Sequence, residues 1–364
     1  MDATNDILII GGGIIGLAIA VELRQRGASV TVLSRDFQEA ASHAAAGMLA
    51  PYAEQIPAGS MLELCTRSRQ MYGDWTGKLE NLTGLATGYN PCGILSPVFE
   101  LPDNPPPLAP TSSWLNQTEI HAFQAGLNPD ILGGWWHPED GQVDNQKLVY
   151  TLRQAAKILG VNLQEGTAVQ SIIQKSGKID KILTQNQDYQ AQTYVLATGS
   201  WSSELIPLPV RPIKGQMLAL RMPTPQSLER VLFGPNTYLV PRKNGRLIIG
   251  ATSEEVGWTP HNTPQGINAL LQRAMGLYLP IADWTIEDFW WGFRPGTTDE
   301  FPILGPSAYD NLVLATGHYR NGILLAPITA TLIADLITHQ VTDPLLTSFN
   351  GDRFFPKSDL SPKS

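Results

Sequence analysis

The segment "DILIIGGGIIGLAIAVELRQRG", residues 6–27, most constrains what this chain can fold into. A short apolar run of the buried-strand type leads into Gly11, Gly13 and Gly16, and a helical pattern then continues to a glycine stop. The run "SVTVLS", residues 29–34, predicts the next strand. A right-handed crossover makes two such strands parallel, so the chain is expected to open with a β-α-β unit.

The G-x-G-x-x-G spacing in this unit predicts a dinucleotide site. Glycine allows a tight turn, a close approach of the backbone to a pyrophosphate, and close packing of helix on strand, while the helix N-terminus faces the anion. The motif alone is weak, but strand, glycines, helix and second strand all occur in the required order. We therefore expect Gly11, Gly13, Ile14, Ile15 and Gly16 to contact the cofactor.

The end of the second strand leaves the kind of dinucleotide open. An acidic residue that binds the ribose hydroxyls is expected about twenty residues after the glycines, but this chain has Ser34 there, followed by Arg35 and Asp36. A serine can hydrogen-bond a ribose hydroxyl, whereas Arg35 can instead hold the 2′-phosphate of NADP. Both residues are candidate cofactor contacts, and a nicotinamide cofactor stays possible at this point.

Composition excludes several classes of protein. A chain of 364 residues with 43% hydrophobic and 16% charged residues predicts a folded globular protein of two domains. The net charge of -8 and the pI near 5.3 leave no basic stripe for nucleic acid. The apolar stretch near the start is interrupted by glycines and follows Asp2 and Asp6, so it indicates neither a signal peptide nor a membrane span.

Cysteine and histidine usage gives little sign of a disulfide or metal site. Cys65 and Cys92 are too few for a disulfide framework, and a reduced, cytoplasmic setting is expected. The six histidines show no metal-binding spacing, so no metal is expected.

Two kinds of pattern alternate along the chain, which predicts an α/β fold with two interleaved domains. Helical and buried-strand patterns return near residue 141, where "VNLQEGTAVQSIIQ" and "KIDKILTQ" read as antiparallel strands, and again near residue 301. The intervening segments have short strand runs and many prolines, with a possible hairpin turn at Asn244-Gly245. The expected boundaries place residues 1–60, 141–205 and 301–364 in a discontinuous Rossmann-like, cofactor-binding domain, and residues 61–140 and 206–300 in an inserted antiparallel-sheet, substrate-binding domain.

Two later segments favour a flavin over a nicotinamide. The tripeptide "ATG" occurs at residues 197–199 and again at 315–317, each time closing a buried strand with a glycine that can bring backbone against a flat ligand. The second copy opens into Gly322 and an apolar helix, whose N-terminus can face the C2 carbonyl of a flavin, where negative charge collects on reduction. Nicotinamide domains have less use for such a distant third segment.

Over nearly its whole length the chain resembles the glycine oxidase branch of the D-amino acid oxidase and sarcosine oxidase flavoproteins. The resemblance is carried by "IIGGGIIGLAIA", "SHAAAGMLAP", "VDNQKLV" with "GTAV", "VLATGSW", "IKGQML", "GFRPGTTDEFPILG" and "ATGHYRNGILLAP". It implies an FAD enzyme that oxidises glycine, and after it sarcosine or short D-amino acids such as D-alanine, to an imine or glyoxylate, ammonia and hydrogen peroxide. It also implies a role in making the thiazole of thiamine, with delivery of the imine to thiazole synthase.

The resemblance further assigns residues to the cofactor. Sarcosine oxidases hold FAD through a cysteine in the C-terminal half, and this chain has no cysteine after Cys92, so the implied FAD is non-covalent. Besides the glycine motif, Ser34 and Arg35, the implied cofactor contacts are Ser42, His43, Ala46, Gly47, Met48, Val169, Thr198, Gly199, Gly317, His318, Arg320, Asn321, Gly322 and Ile323.

Arg294 is the strongest candidate for binding substrate. It follows two tryptophans and a phenylalanine. An arginine in such a place either packs its alkyl stem on the aromatic rings with the guanidinium in water, or binds a planar anion. A guanidinium binds a carboxylate through two parallel charge-assisted bonds, which an apolar surround strengthens. By resemblance Arg294 matches the carboxylate clamp, Tyr238 the tyrosine that hydrogen-bonds the same carboxylate, and Arg320 an arginine that either borders the active site or forms a structural ion pair.

The expected reaction needs no acid or base from the protein, because Arg294 and Tyr238 orient the Cα hydrogen of a neutral amine toward the flavin, which accepts the hydride. Three alternatives remain open from the sequence: an FAD-dependent D-amino acid or sarcosine dehydrogenase that uses an electron carrier other than oxygen, an NADP-linked reductase, and a non-enzymatic flavin-binding or assembly protein. A homo-oligomer is possible.

Overall fold

The computed structural model of the chain describes residues 6–101, 109–224 and 227–354. In chain order its strands are β1 (Asp6–Ile10), β2 (Ser29–Ser34), β3 (Met48–Leu49), β4 (Ile94–Val98), β5 (Ser113–Asn116), β6 (Gly133–His137), β7 (Gly141–Gln142), β8 (Asn162–Glu165), β9 (Val169–Lys175), β10 (Lys178–Thr184), β11 (Asp188–Tyr189), β12 (Thr193–Leu196), β13 (Arg211–Arg221), β14 (Val231–Gly234), β15 (Thr237–Pro241), β16 (Arg246–Gly250), β17 (Thr285–Gly296), β18 (Ile303–Pro306) and β19 (Leu312–Thr316). Its α-helices are α1 (Ile14–Gln25), α2 (Ala41–Ala44), α3 (Ser60–Thr83), α4 (Gln117–Phe123), α5 (Asn145–Ile158), α6 (Ser202–Leu205), α7 (Pro264–Leu277), α8 (Gly322–Thr338) and α9 (Leu346–Phe349). Short 3-10 helices span Gly199–Trp201, Leu279–Asp283 and Gly351–Phe354.

Six strands form a mostly parallel sheet in the order β18-β19-β12-β1-β2-β8, with β18 as its antiparallel edge. Helix α1 joins the parallel neighbours β1 and β2, so the β-α-β unit expected at the start of the chain is confirmed. Apolar residues of α1, α3, α5 and α8 pack in one core with this sheet. Within the described ranges, every helix is too short or too polar to cross a membrane.

One strand of this sheet differs from expectation. The run "VNLQE" was expected to be antiparallel, but β8 pairs in parallel with β2. The reason is the preceding helix α5, which returns the chain to the same end of the sheet as a parallel crossover does. The next two strands, β9 and β10, are antiparallel as expected, and with β11 they form a separate three-stranded sheet.

Eight strands form the second sheet, in the order β17-β13-β16-β15-β14-β4-β6-β5. All neighbours are antiparallel except β14 and β4, and the hairpin expected at Asn244-Gly245 joins β15 to β16. One face packs against α7 in a core of its own. The opposite face looks toward the parallel sheet, and an α/β architecture with an antiparallel-sheet part is therefore confirmed.

The expected boundary at residue 61 assigned helix α3 to the substrate-binding domain, but the helix lies with the parallel sheet. It packs against α8 and α5 in the core of the parallel sheet rather than within the antiparallel sheet. The Tyr72 hydroxyl donates a hydrogen bond to the Ile323 carbonyl at 2.5 Å, and the Ser68 hydroxyl donates to the Leu324 carbonyl at 2.6 Å. The amphipathic helix thus buries its apolar side on the first turn of α8. Residues 355–364 of the expected cofactor-binding domain lie outside the described residues.

Candidate active site between the two sheets

A cavity of about 820 Å³ lies between the parallel sheet and the eight-stranded sheet. One part of its wall follows the carboxyl ends of β1, β2, β12 and β19, which is where ligands bind in open α/β sheets. The loop with residues 39–48 belongs to the same part, and the other part is formed by β4, β6, β13, β14, β15 and β17 together with the segments that carry residues 53–55 and 251–253. We call these parts the cofactor end and the substrate end.

The three motif glycines perform different tasks at the cofactor end. A Cβ on Gly11, whose φ is +115°, would lie 2.3 Å from the Ala197 carbonyl oxygen, and a Cβ on Gly16 would lie 1.9 Å from the Gly11 carbonyl oxygen. A Cβ on Gly13 would meet only the Ala40 Cβ, at 3.6 Å, and Gly13 lines the cavity. Gly11 and Gly16 therefore let backbone pack on backbone, while Gly13 leaves open space for a ligand.

Two helix N-termini at the cavity have free backbone donors. Gly13 is the N-cap of α1 and Asn321 the N-cap of α8, and no side chain of a described residue caps either N-terminus. Unsatisfied N–H groups and the helix dipole make such ends favourable for anions. Both ends adjoin cavity-lining residues, so the site fits a pyrophosphate at α1 and a flavin carbonyl at α8.

Ser34 and Arg35 differ in their availability to a ligand. Ser34 is buried at the end of β2 and lines the cavity. The Arg35 Nε donates to Glu39 at 2.9 Å, and the Arg35 Cζ lies 4.8 Å from the centroid of the Trp201 ring. A 2′-phosphate on Arg35 would face the Glu39 carboxylate, so this arrangement does not favour NADP.

The loop Ala46–Met48 lines the cavity and is held from behind by Arg242. This arginine is 7% exposed, and its guanidinium donates to the Ala46 carbonyl at 2.7 Å and to the Val143 carbonyl at 2.9 Å. It also donates to Gln142 Oε1 and Asn145 Oδ1. All four acceptors are neutral, and burial lowers the pKa of Arg242 to about 10.

Asn145 extends this support by donating to the carbonyls of Ser42 and His43. The Ser42 hydroxyl is buried, lines the cavity and has no hydrogen-bond partner among the described residues. A buried hydroxyl normally finds a partner, so an orphan at this wall fits a polar cofactor. Sequence reasoning missed Arg242 and Asn145, because nothing near either residue signals a contact to the loop.

Most of the expected cofactor contacts line the cavity, but four do not. Gly16 and Gly317 do not line the cavity and are packed against other protein atoms. A Cβ on Gly317 would lie 2.7 Å from Thr297 Cγ2. His43 faces a separate cavity of about 140 Å³, and the Asn321 N–H is used by the His318 carbonyl in the turn before α8. The expected contacts that do line the cavity are Gly11, Gly13, Ile14, Ile15, Ser34, Arg35, Ser42, Ala46, Gly47, Met48, Val169, Thr198, Gly199, His318, Arg320, Gly322 and Ile323.

His318 is a buried, uncharged member of this set. Its Nε2 lies 3.1 Å from the Thr329 hydroxyl, and burial lowers the pKa of the ring to about 3. Neither Cys65 nor Cys92 lines the cavity, and both are free thiols.

Arg294 lies at the substrate end with part of its guanidinium unused. Its Nη1 donates to the Thr252 carbonyl at 3.0 Å, and the guanidinium lies over Gly215, where a Cβ would be 2.5 Å from Nη1. Among the described residues no carboxylate forms an ion pair with Arg294. The Tyr238 hydroxyl contacts Met217 Sδ at 3.4 Å, and burial raises the pKa of Tyr238 while the nearby Arg294 opposes the rise.

Arg320 is exposed at the edge of the same cavity. Its Nη2 donates to the Tyr319 hydroxyl at 3.2 Å, and in the described part of the chain it has no carboxylate within ion-pair distance. The alternative of a structural ion pair is therefore not what the structure shows.

Glu54 is a cavity-lining acid that sequence reasoning missed. Its carboxyl makes no hydrogen bond or ion pair with any described residue. Burial raises its pKa from the ordinary value of 4.5 to about 7, against the opposing effects of Arg320 and Arg294. A carboxyl that ionises near neutral pH thus faces two guanidiniums at the substrate end.

The turn that carries Glu54 is anchored by Asp140. This fully buried carboxylate accepts hydrogen bonds from the backbone N–H of Tyr52 at 3.2 Å and of Ala53 at 2.9 Å. It also accepts from Arg69 Nη1 at 2.7 Å, and burial raises the pKa of Asp140 to about 6. Asp140 therefore fixes the backbone immediately before Glu54.

Comparison with known proteins agrees with this geometry. A family model described as FAD dependent oxidoreductase (DAO) matches residues 6–336. The chain is 64% identical, over 97% of its length, to the bifunctional protein ThiO/ThiG of a Synechocystis species, of which it spans 55%. It spans only about half the length of the bifunctional relatives that it matches.

Relatives of the same length as this chain are also similar to it. The chain is 32% identical to a glycine oxidase of Bacillus licheniformis, covering 96% of this chain and 97% of that protein. A crystal structure of glycine oxidase from Geobacillus kaustophilus superposes with a TM-score of 0.89 at 32% identity, covering 96% of this chain and 98% of that one.

Proposed function

This chain belongs to the FAD dependent oxidoreductase family, and from that premise we propose that it oxidises glycine and related small amines such as sarcosine and D-alanine. Two electrons and a proton leave the substrate as a hydride from Cα, which gives the protonated imine, and loss of an N–H proton to solvent then gives the imine. Water converts the imine to glyoxylate and ammonia, and dioxygen takes up the two electrons and two protons to give hydrogen peroxide.

The guanidinium of Arg294 is the observation that carries this proposal. It lies in the wall of the cavity that also contains the glycine loop, and no described carboxylate neutralises it. Leaving a cation unpaired in a partly buried wall is costly unless a ligand pairs with it. An α-amino acid supplies such a ligand in its carboxylate, through two parallel hydrogen bonds.

The residues of the chain bind and orient the substrate. Arg294 and the Tyr238 hydroxyl hold the carboxylate, which limits the directions in which the Cα hydrogen can point. FAD, when bound, supplies the two-electron acceptor for the hydride. The loop Ala46–Met48 and the N-terminus of α8 place backbone groups at the cofactor end, and the neutral His318 adds no charge there.

The biological setting is part of the same proposal. Relatives named ThiO/ThiG span nearly twice the length of this chain, which supports a partnership with a thiazole synthase and a role in forming the thiazole of thiamine. The two free thiols fit a cytoplasmic location.

An anaerobic visible spectrum of the purified protein, before and after adding glycine, tests the proposed reaction. We expect a flavin spectrum that glycine bleaches and air restores, with one hydrogen peroxide formed for each glycine consumed. A protein that bleaches but regains colour only with an artificial electron acceptor would be the dehydrogenase. A colourless protein that FAD cannot reconstitute, or a yellow one that neither glycine, sarcosine nor D-alanine bleaches, would contradict the proposal.

A further inference from the structure

The eight-stranded sheet presents a row of side chains to the cavity that extends beyond the carboxylate clamp. Strand register aligns Met217 with Gly250, Gly250 with Tyr238, and Tyr238 with Phe233. Leu232 is aligned with Leu95, so the next residue of each strand brings Phe233 beside Ser96. Ser96 is aligned in turn with Trp135. Aligned residues share one face of a sheet, and Met217, Tyr238, Phe233, Ser96 and Trp135 all line the cavity.

Successive side chains of a strand point to opposite faces of the sheet, which explains why this row lines the cavity while its neighbours in sequence do not. The residues before or after it in each strand, such as Leu95, Leu232 and Leu239, point to the other face and are buried against α7. On the cavity face, the neighbouring row is covered by alanines of the segment 46–53. The row with Ser96 therefore lies where this cover ends and the cavity begins.

Tyr238 divides the row into two parts. Its hydroxyl turns back over Gly250 toward Met217, since a Cβ on Gly250 would lie 2.5 Å from that hydroxyl. The ring thus lies on the side of the row nearer Arg294, and Phe233, Ser96 and Trp135 line the cavity beyond it. We call these three residues the distal strip. Neighbouring strands are about 4.8 Å apart, so the strand of Ser96 lies about 10 Å from that of Tyr238, too far for glycine to span.

Ser96 is the unsatisfied member of the distal strip. Ser96 is 6% exposed, and its hydroxyl has no hydrogen-bond partner among the described residues. Leaving a buried hydroxyl without a partner is unfavourable, so a ligand group that pairs with it would be stabilised. Aromatic side chains flank it on both neighbouring strands, and none of the three residues carries a charge. The strip can bury an apolar chain and meet one neutral polar group at its end.

We propose that the distal strip is a second subsite, which binds the far end of a substrate longer than glycine. The substrate class is an α-amino acid whose amine or Cα bears an apolar chain that ends in a neutral hydrogen-bonding group. The carboxylate stays on Arg294, the chain lies against Phe233 and Trp135, and the terminal group pairs with the Ser96 hydroxyl. This inference rests on the proposed function, because the clamp fixes where the chain begins.

A series of N-substituted glycines tests the subsite. N-(hydroxyalkyl)glycines and N-alkylglycines of equal length, with chains of about two to eight atoms, are compared by kcat/KM and by flavin spectral titration under anaerobic conditions. We expect the hydroxyl-ended compound to be preferred at one chain length by about threefold to tenfold, the range of a single hydrogen bond. Ser96→Ala should abolish that preference and leave kcat/KM for glycine within about twofold.

A matched control separates the subsite from a general effect of losing a hydroxyl. Thr151 on α5 also has a buried hydroxyl without a partner in the described part of the chain, but it does not line the cavity. Thr151→Val should therefore leave the preference intact. A hydroxyl preference absent at every length, or unchanged in Ser96→Ala, would overturn the subsite while glycine turnover still supported the proposed function. If the wild-type protein did not turn over glycine, the proposed function would be contradicted. The flavin titrations would still measure whether the longer compounds bind to the distal strip.

Discussion

The two ends of the cavity offer different chemistry to the ligands that we propose for them. At the cofactor end the polar groups available to a ligand include backbone N–H donors at two helix N-termini, and Gly13 leaves space beside one of them. At the substrate end the groups are charged side chains, Arg294, Arg320 and Glu54, which no described partner neutralises in an ion pair. Binding by backbone N–H groups should be lost when a side chain is added beside them. Binding by charged side chains should be lost when a charge is removed.

The largest effect is expected from adding a single methyl group at the cofactor end. Gly16→Ala places its Cβ against the Gly11 carbonyl, 1.9 Å away in the present backbone. Because backbone rather than a flexible side chain must move, we expect destabilisation by at least about 1–3 kcal/mol together with loss of FAD. Thermal denaturation of the apoprotein and a fluorescence titration with FAD measure the two effects.

Gly13→Ala is the matched control within the same motif. Its φ of -71° suits alanine, and the new Cβ would meet only Ala40. We expect the apoprotein to keep its melting temperature while FAD affinity falls, since the methyl group enters the ligand's space. Equal loss of stability in both variants would contradict the assignment of a packing role to Gly16 and of ligand space to Gly13.

The next effect comes from removing charge at the substrate end. Arg294→Ala should raise KM for glycine by about a hundredfold, the value of charge-assisted hydrogen bonds to a carboxylate, and leave the Kd for FAD unchanged. Arg294→Lys keeps the charge but loses the planar fork, so we expect an intermediate KM. An unchanged apparent affinity for glycine in Arg294→Ala would refute the assignment of the clamp.

The same contrast explains what could be read from the sequence. The glycine motif is contiguous, and close backbone approaches require Gly11 and Gly16, so the β-α-β unit and its glycine turn were predictable from the chain alone, whereas the loop Ala46–Met48 was assigned by the family resemblance. Arg294 drew attention through its aromatic neighbours, but its role came from the family resemblance. Arg242 and Glu54 carried no local signal, because strand pairing and the turn held by Asp140 bring them to the cavity from distant parts of the sequence.

The smallest and most specific effect should come from Glu54. Its raised pKa means that it is uncharged below about pH 7 and becomes an anion above it. The anion competes with a bound carboxylate for Arg294 and Arg320, so affinity for carboxylates should fall as pH rises through about 7. Glycolate, which has no amine to titrate, isolates this step. We expect its Kd in the holoprotein to rise by about threefold to tenfold between about pH 6 and about pH 8.

Glu54→Gln removes the titration but keeps the shape of the side chain. The Kd for glycolate should then be flat over the same interval and stay near the low-pH value of the wild type. Above pH 7 the wild type should also take up protons when glycolate binds, because the new carboxylate raises the pKa of Glu54 further, and the variant should take up none. Calorimetry in two buffers of different ionisation enthalpy measures this uptake. A pH dependence that persists in Glu54→Gln would place the titrating group elsewhere and leave the substrate end with two guanidiniums unopposed at every pH.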